Sequence, residues 1–352
     1  MPSGKKLGRW LRGMAHRRVG VVGDFMLDGY VWGNATRLSP EAAVPVVDFV
    51  AESECPGGAG NVAASLAALG ARVAAFGVCG ADAEAARLRA ALDLRGVESR
   101  DVLADAARRT TLKTRIIARH QQVVRVDRET RVPLAPALEE KLIAKIAAAL
   151  KGSRGNRGLQ ALVISDYDKG TVTEELARRV LALCAKLRVP AFVKPKWSML
   201  ATYPGASAIV LNSAEAGFLV TRAVEDDESA EYAGAQLLEK FKSSAVVLTR
   251  GARGMMVFEP GAARGWKIPA LSQEMPFGSR FAGREAGRRG LQVFDVTGAG
   301  DTVLATLALA AAVGAPIREA ALLGNAAAGI AVSKLGTATV SPSELSAAVR
   351  LL

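Results

Sequence analysis

The stretch F-D-V-T-G-A-G-D-T at Phe294–Thr302 decides how the rest of the chain is interpreted. It lies between a short apolar run and the alanine- and leucine-rich run 303–312, so it predicts a glycine-rich turn just ahead of a helix. Gly298 and Gly300 lack a Cβ atom, which lets the backbone turn sharply and lie against a ligand. Because the first N–H groups of a helix have no partner within it and its dipole end is positive, this turn is predicted to bind a phosphate.

Asp301 is an unusual residue in such an anion hole, because its carboxylate repels the phosphate that the hole attracts. We interpret Asp301 as a general base, which takes the proton from a hydroxyl group that attacks the phosphate held beside it. A plain glycine turn with a helix-starting aspartate explains the same four residues equally well, because short glycine motifs are weak indicators.

The composition is that of a globular protein with a sizeable core and anionic partners. The chain has 352 residues, half of them hydrophobic, and a formal net charge of +12. This charge favours phosphorylated metabolites, nucleotides or nucleic acid as partners. Aromatic residues make up only 5% and do not alternate with basic ones, so small phosphates are preferred and no nucleic-acid partner is expected.

The remaining bulk features point to a cytoplasmic protein without a histidine-based metal site. The three cysteines have no paired metal spacing, and only two histidines are present, which fits reduced thiols in the cytoplasm. No uncharged apolar run reaches the roughly 18 residues that a membrane-spanning helix needs. The basic segment 1–17 is interpreted as a solvated or frayed extension, with contact to an anionic surface as the alternative.

From residue 18 onward the chain alternates short apolar runs with helical patterns. Strands are predicted at 19–22, 71–78, 161–165, 191–193, 208–211 and 245–249, and helices at 62–69, 81–94, 137–150, 173–187 and 230–241. Such alternation implies right-handed crossovers and one mostly parallel α/β sheet covered on both faces. Antiparallel edge strands are expected at 255–258 and 265–268, and a basic glycine-rich loop at 278–290.

Two polar clusters mark the predicted site besides the turn at Asp301. Asp24 and Asp28 follow the first strand, at the sheet edge where open α/β sheets bind ligands, and could accept hydroxyl groups of a sugar. The segment Pro56–Asn61, P-G-G-A-G-N, begins a second glycine-rich helix start, and Asn61 can both donate and accept. Turn and helix capping by Asp24 and Asn61 is the open alternative.

A predicted hairpin lies apart from the main sheet. Residues 110–127 alternate like paired strands, with a reversal near 119–121. Lys113 and Arg115 could meet an anionic substrate as part of a lid, or could simply protect an exposed strand pair. A further polar cluster, Asn212–Glu215, follows the strand at 208–211.

Five motifs stand in one order along the chain: Gly23–Asp28, Gly57–Asn61, Asn212–Glu215, Thr249–Gly251 and Asp295–Asp301. This set resembles the ribokinase-like (PfkB) carbohydrate kinases over nearly the whole chain from residue 18. The resemblance implies a three-layer α/β/α sandwich with a mostly parallel central sheet. It implies one kinase domain at 18–352, with a small β lid near 29–50 and 110–128 that often pairs with a second subunit to form a homodimer.

The resemblance also implies roles, position by position. Asp301 matches the catalytic base. The anion hole is matched by Gly298, Ala299 and Gly300. Positions that hold sugar hydroxyls are matched by Asp24, Asp28, Gly57, Gly58 and Asn61. The motif that positions Mg²⁺ and the ATP phosphates, largely through water, is matched by Asn212 and Glu215. Nucleotide-site positions are matched by Thr249, Gly251, Gly254 and Asn325.

Segments 37–46, 119–127, 165–170 and 334–340 resemble a narrower subgroup, the D-glycero-β-D-manno-heptose 7-phosphate kinases of ADP-heptose synthesis. We therefore expect phosphorylation of the anomeric hydroxyl of this sugar phosphate by ATP with Mg²⁺, with a monovalent cation left open. The fused nucleotidyltransferase domain of bifunctional members is not expected in this chain. The sugar phosphate would be held by some of Arg37, Lys113, Arg115, Lys169 and Lys196.

Two departures from the subgroup leave alternatives open. Lys194 stands where the subgroup usually carries an acidic residue, and the loop 276–289 looks inserted ahead of the catalytic turn. The alternatives are a kinase of this family that acts on another sugar or sugar phosphate, and a catalytically silent sugar-phosphate-binding regulator. Retention of Asp301 and the adjoining glycines favours an enzyme.

Overall fold

A nine-stranded sheet forms the centre of the computed structural model, which describes residues 4–119, 121–153, 156–196, 203–271, 296–334 and 337–351. The described residues form the strands of this sheet, of a four-stranded lid and of a short hairpin. In chain order they are β1 (Arg18–Gly23), β2 (Phe25–Leu38), β3 (Pro45–Gly58), β4 (Arg72–Cys79), β5 (Val97–Ala104), β6 (Thr111–Ala118), β7 (Gln121–Arg128), β8 (Gly152–Ser153), β9 (Asn156–Arg157), β10 (Ala161–Ser165), β11 (Ala191–Lys194), β12 (Ala208–Asn212), β13 (Val246–Thr249), β14 (Met255–Phe258) and β15 (Trp266–Ile268).

The helices of the described residues pack around these strands. They are α1 (Gly4–Met14), α2 (Ala59–Ala68), α3 (Ala83–Asp93), α4 (Pro136–Lys151), α5 (Glu174–Leu187), α6 (Ser213–Leu219), α7 (Asp227–Phe241), α8 (Ala299–Ala311), α9 (Ile317–Ala331) and α10 (Pro342–Val349). None of them is both long enough and apolar enough to cross a membrane.

The central sheet has the strand order β15-β14-β13-β12-β11-β10-β1-β4-β5. Strand β1 lies in the middle and pairs in parallel with β10 and β4, so Val21 is opposite Val163 and Ala75. Only the pairings of β13 with β14 and of β14 with β15, at one edge, are antiparallel. The predicted parallel strands and the antiparallel edge are confirmed. Strand β5 was not predicted, because its charged residues alternate with buried ones and leave no apolar run.

Two apolar clusters cover the faces of this sheet and make the layers of the sandwich. One includes buried residues of α1, α2, α3, α8, α9 and α10, and the other those of α4, α5, α6 and α7. Helix α8 is buried from Asp301 through Ala310. Its alanine and leucine side chains pack against neighbours on every side, so the start of α8 is held firmly against the central strands β10, β11 and β12.

The lid is a separate four-stranded sheet in the order β3-β2-β6-β7. Strand β2 pairs in parallel with β6, which places Asp28 opposite Lys113 and Tyr30 opposite Arg115. Strands β6 and β7 form the predicted antiparallel hairpin. Every residue of β7 is exposed, and Phe49 on β3 is 64% exposed.

The interpretation of the N-terminus as a frayed extension is wrong. Residues 4–14 form helix α1, with Leu7 and Met14 buried in the core. The Trp10 indole donates to Glu319 of α9 at 2.5 Å, and the Lys6 ammonium bonds the same carboxylate. The basic residues had suggested a solvated segment, but their apolar neighbours recur at helical spacing and anchor one face.

Candidate functional site

A cleft of about 1190 Å³ lies between the lid, the carboxyl ends of the central strands and the start of α8. It collects most of the predicted site residues: Asp28, Gly58, Asn61, Lys113, Arg115, Lys169, Asn212, Glu215, Thr249, Gly251, Gly254, Gly298, Ala299, Gly300, Asp301 and Asn325. Lys196 lines it as well. The predicted loop 276–289 and Asp295 lie outside the described residues.

Asp301 is the centre of a set of four side chains that we call the base cluster: Asn61, Tyr167, Lys194 and Asp301. Asp301 is 5% exposed and lies in the first turn of α8. Its Oδ1 accepts from the Tyr167 hydroxyl and the Lys194 ammonium, both at 2.7 Å, and its Oδ2 accepts from the Asn61 amide at 2.9 Å. These donors fix the carboxylate and leave Oδ2 room for one more hydrogen.

The turn before α8 has the predicted shape. Gly298 is left-handed, with a φ of 80°, and a Cβ atom there would lie 2.7 Å from the Asn61 Nδ2. A side chain at this position would therefore displace a donor to Asp301. The Ala299 N–H is donated to Val296 within the turn, so we expect an anion to be held mainly by the N–H groups that follow it.

The charge of Asp301 raises the pKa values of both Lys194 and Tyr167. Burial alone would lower the pKa of Lys194, but the adjacent Asp301 carboxylate outweighs burial and raises this pKa well above its usual value. Burial and the charge of Asp301 together raise the pKa of Tyr167. Lys194 therefore stays cationic and Tyr167 stays a hydrogen-bond donor at neutral pH.

The structure gives Asp24 a different role from the predicted contact with a sugar. Asp24 is 2% exposed and is not among the residues that line the cleft. Its carboxylate accepts from the backbone N–H groups of Tyr167, Lys169 and Thr171. Asp24 thus shapes the loop 166–171 that carries Tyr167 and Lys169, and its acceptor sites are used within the protein.

Asp28 does line the cleft and forms a buried ion pair. Its Oδ1 accepts from Arg115 at 2.6 Å, and the pairing raises the pKa of Arg115 against the opposing effect of burial. Gly57 packs against the same carboxylate, since a Cβ there would lie 2.2 Å from the Asp28 Oδ2. Gly57 therefore acts by making space for Asp28, and it does not line the cleft itself.

Five charged residues where the lid meets the sheet form what we call the lid cluster: Lys113, Asp127, Glu129, Arg131 and Lys169. Lys113 bonds Asp127 at 2.8 Å and Glu129 at 3.2 Å, while Lys169 bonds Glu129 at 2.9 Å. Burial would raise the pKa of Glu129, but the three cations that bond it lower this pKa to about 2.

Arg37 is not placed in the site. It lies near the tip of β2, with a side chain that is 68% exposed and 3.7 Å from Asp48, and it does not line the cleft. The sequence could not show this, because the reach of the lid strands depends on their pairing. Arg37 is therefore removed from the candidate phosphate contacts within a single chain.

The nucleotide side of the cleft is built on strand ends and turns. Asn212 caps α6 by accepting from the Glu215 N–H at 2.8 Å, and Glu215 accepts from the Asn212 N–H at 2.9 Å. Gly254 follows a short 3-10 turn with a φ of 77°, and a Cβ there would lie 2.0 Å from the Ile268 carbonyl oxygen. Asn325 donates to the Pro269 carbonyl at 2.8 Å.

The carboxylates of the cleft fit a metal ion that is held mainly by the phosphates of the nucleotide and by water. Among the described residues, no group of three histidine, cysteine or carboxylate side chains converges on one point. Glu215 is buried and lines the cleft, and one of its oxygens already accepts from the Asn212 N–H. Mg²⁺ commonly keeps several waters and uses few protein carboxylates besides substrate phosphates.

Sequence reasoning did not assign a function to Tyr167, Glu129 or Arg131. Tyr167 lies within S-D-Y-D-K-G, which was recognised as a motif without a role for its aromatic ring. Asp168, the next residue, has a φ of 59°, which turns the loop back toward Asp24. A polar motif after a strand end was therefore the available signal, but only the fold shows that it meets Asp301.

Comparison with known proteins agrees with this geometry. The profile of the pfkB family carbohydrate kinases matches residues 17–344. The "Bifunctional protein HldE" of Geobacter sulfurreducens is 42% identical over 325 residues, which cover 92% of this chain and 61% of that protein. The protein of the same name from Pelobacter propionicus is 41% identical over 331 residues, covering 94% and 63%. The chain spans about three fifths of the length of these relatives.

Solved structures show the fold. Arabidopsis thaliana ribokinase, complexed with ribose and ATP, has a TM-score of 0.69 at 17% identity and covers 95% of this chain and 99% of its own. Escherichia coli phosphofructokinase-2, in complex with fructose-6-phosphate, has a TM-score of 0.71 at 18% identity and covers 96% and 99%. The predicted ribokinase-like α/β architecture is confirmed.

Proposed function

Because the chain belongs to the pfkB family of carbohydrate kinases, we propose that it is an ATP-dependent kinase of D-glycero-β-D-manno-heptose 7-phosphate. The product is the 1,7-bisphosphate, an intermediate of ADP-heptose synthesis for the lipopolysaccharide core. The observation that carries the proposal is Asp301, a buried carboxylate fixed by three donors at the start of a helix that faces the cleft.

In the proposed reaction Asp301 accepts the proton of the anomeric hydroxyl through its Oδ2. The sugar oxygen bonds the γ-phosphorus of ATP, and the bond from that phosphorus to the bridging oxygen of ADP breaks. The N-terminus of α8 faces the charge on the transferred group, with Gly298 and Gly300 allowing close approach. Positioning and charge compensation do most of the work in phosphoryl transfer, which suits this arrangement.

The lid cluster supports a substrate that already carries a phosphate. Lys113, Lys169 and Arg131 bring three positive charges to one side of the cleft, while Asp127 and Glu129 bring two negative ones. The carboxylates keep the cations ordered and partly desolvated before substrate arrives. A phosphate dianion can then exchange with one of these ion pairs without any large movement of the lysine side chains.

ATP is assigned to the side of the cleft that contains Asn212, Glu215, Thr249, Gly251, Gly254 and Asn325. Mg²⁺ supplies charge neutralisation at the β- and γ-phosphates when it is bound. Glu215 would hold the ion through water, since its other contacts cap α6. Use of ATP as the donor would place the reaction in the cytoplasm.

The lid supports a homodimer. Its strands expose apolar side chains, among them Trp32 at 40%, Phe49 at 64% and Val124 at 46%. An exposed apolar sheet of this kind is normally covered in solution. Light scattering should give twice the chain mass, and Phe49→Glu should give the monomer mass with the folded signal retained.

One experiment tests the reaction itself. The protein is incubated with ATP, Mg²⁺ and heptose 7-phosphate, and the 1,7-bisphosphate is sought by mass spectrometry, with Asp301→Asn as the control. Equal turnover of fructose 6-phosphate or another sugar phosphate would replace the proposed substrate. Saturable binding of heptose 7-phosphate without ADP release would instead identify a silent regulator.

A further inference from the structure

The ammonium of Lys194 lies at the start of α8, beside the place where a phosphate is expected to bind. Lys194 ends β11, a central strand between β10 and β12. Its Nζ lies 2.7 Å from the Asp301 Oδ1 and 3.3 Å from the Tyr167 hydroxyl. A Cβ added at Gly300 would lie only 3.5 Å from this Nζ, so the charge rests directly against the first turn of the helix.

The surrounding side chains hold the Lys194 ammonium in a defined position. The Lys194 side chain is 18% exposed, and its ammonium lies 5.3 Å from the centre of the Tyr167 ring, within the range of a cation–π contact. Lys194 lines the cleft. Among the described residues, two acceptors are found for the three N–H bonds of the ammonium, so one N–H is available to a ligand in the cleft.

We propose that Lys194 is a phosphoryl-binding residue, a permanent cation of the anion hole that contacts the γ-phosphate of ATP during transfer. The inference rests on the proposed kinase function. It assigns to this chain a protein-borne positive charge 2.7 Å from the Asp301 carboxylate.

The ion pair with Asp301 gives this cation a timed role. While Asp301 is ionised, its charge offsets part of the ammonium charge 2.7 Å away, and the remaining N–H of Lys194 still contacts the γ-phosphate. When Asp301 takes the hydroxyl proton, that neutralising charge is lost. The contact between the ammonium and the phosphoryl group therefore strengthens at the moment when the proton and the phosphoryl group move.

The test separates phosphate binding from nucleoside binding without any need for turnover. Calorimetry measures the Kd of a non-hydrolysable ATP analogue and of adenosine, both in EDTA so that no divalent ion compensates the phosphates. We expect Lys194→Met to raise the Kd of the ATP analogue by about 10- to 100-fold, as the loss of a hydrogen bond to a charged group would. Adenosine affinity should stay unchanged, which also reports that the nucleoside side is folded.

Two further variants complete the design. Lys194→Arg keeps the positive charge and should retain most of the analogue affinity. Lys186→Met removes a lysine charge from the exposed end of α5, away from the cleft, and should change neither affinity. Analogue affinity within two-fold of the parent in Lys194→Met would overturn the inference.

The outcome is independent of whether the proposed sugar is correct. If no bisphosphate forms but Lys194→Met still loses analogue affinity selectively, the phosphoryl contact stands and the substrate assignment fails. If the bisphosphate forms and Lys194→Met binds the analogue normally, the kinase stands and Lys194 is only a partner that orients Asp301.

Discussion

The base cluster and the lid cluster both pair lysines with carboxylates, yet they are held in different ways. The base cluster joins the ends of β10 and β11 to the starts of α2 and α8, and Asp301 at its centre is 5% exposed. The lid cluster lies on β6, on β7, whose residues are all exposed, on the segment that follows β7 and, through Lys169, on the loop 166–171. The base cluster is fixed by the core, whereas the lid cluster is held mainly by its own ion pairs.

This difference separates catalysis from recognition. Buried donors that cannot move suit a carboxylate whose position relative to the phosphate must be accurate. Exchangeable ion pairs beside the cleft suit a group that must bind and release a charged substrate. Substitution of Asp301 should therefore act on kcat, and substitutions in the lid cluster should act on KM for the sugar phosphate.

The largest effect is expected at Asp301. Asp301→Asn keeps the shape and can still accept from Lys194, but it cannot take the hydroxyl proton. We expect kcat to fall by about 10²- to 10⁴-fold, the usual contribution of a positioned base. Steady-state kinetics with ATP and sugar phosphate measure this, and the thermal midpoint serves as the folding control. A kcat near that of the parent would remove Asp301 from the base role.

The second effect sharpens the role of the lid cluster. Lys113→Ala and Lys169→Ala should each lower kcat/KM for the phosphorylated sugar by about 10- to 100-fold, through the loss of a charge-assisted hydrogen bond. Turnover of the same sugar without its phosphate should change little. Arg37→Ala is the matched control, because this exposed arginine lies outside the cleft. Equal losses for both sugars would place the lysines elsewhere in the mechanism.

A third change tests how tightly the Asp28–Arg115 pair is packed. Gly57→Ala would put a Cβ atom 2.2 Å from the Asp28 Oδ2. Because Asp28 must shift and its ion pair with Arg115 must lengthen, we expect a loss of unfolding free energy of about 1–3 kcal/mol. Chemical denaturation measures it, with Gly96→Ala as a glycine control that meets no neighbouring atom. Gly96 has a positive φ of 72°, so any loss of stability in Gly96→Ala comes from backbone strain and not from a clash of the new Cβ atom.

The smallest effect concerns the pH dependence of the lid cluster. The pKa of Glu129 is lowered from 4.5 to about 2, so its ion pairs stabilise the fold above pH 4.5 and are lost as pH falls toward 2. Glu129→Gln should therefore be less stable than the parent at pH 7, and the difference should shrink across that window. Unfolding curves at several pH values check this, and a difference that stays constant down to pH 2.5 would contradict it.

Much of the fold was accessible from the sequence because buried parallel strands are short apolar runs. Strands β10 and β14 match their predicted bounds, and the lid hairpin reverses where expected. Helix α1 was missed because its many basic residues outweighed the apolar face that anchors it. The site was predicted where glycine turns and strand ends mark it, as at Asn61 and Asp301.

The sequence did not predict which partners the charged side chains of the site contact. Lys194 was recognised as a departure, but its contact with Asp301 joins residues that are 107 positions apart. Asp24 was assigned to the sugar because it follows β1, whereas three backbone N–H groups of another loop occupy its carboxylate. Such contacts depend on which strand ends become neighbours, and the apolar pattern of each strand does not contain that information.

The anchoring of the loop 166–171 to Asp24 has a consequence for how the cleft fluctuates. Its three amide groups are tied to the end of β1, the strand in the middle of the sheet. The loop can open only by breaking these three hydrogen bonds, so its amide hydrogens should exchange slowly with solvent. Surface loops usually open at little free-energy cost. Here the segment that presents Tyr167 opens only when a buried carboxylate gives up three hydrogen-bond donors.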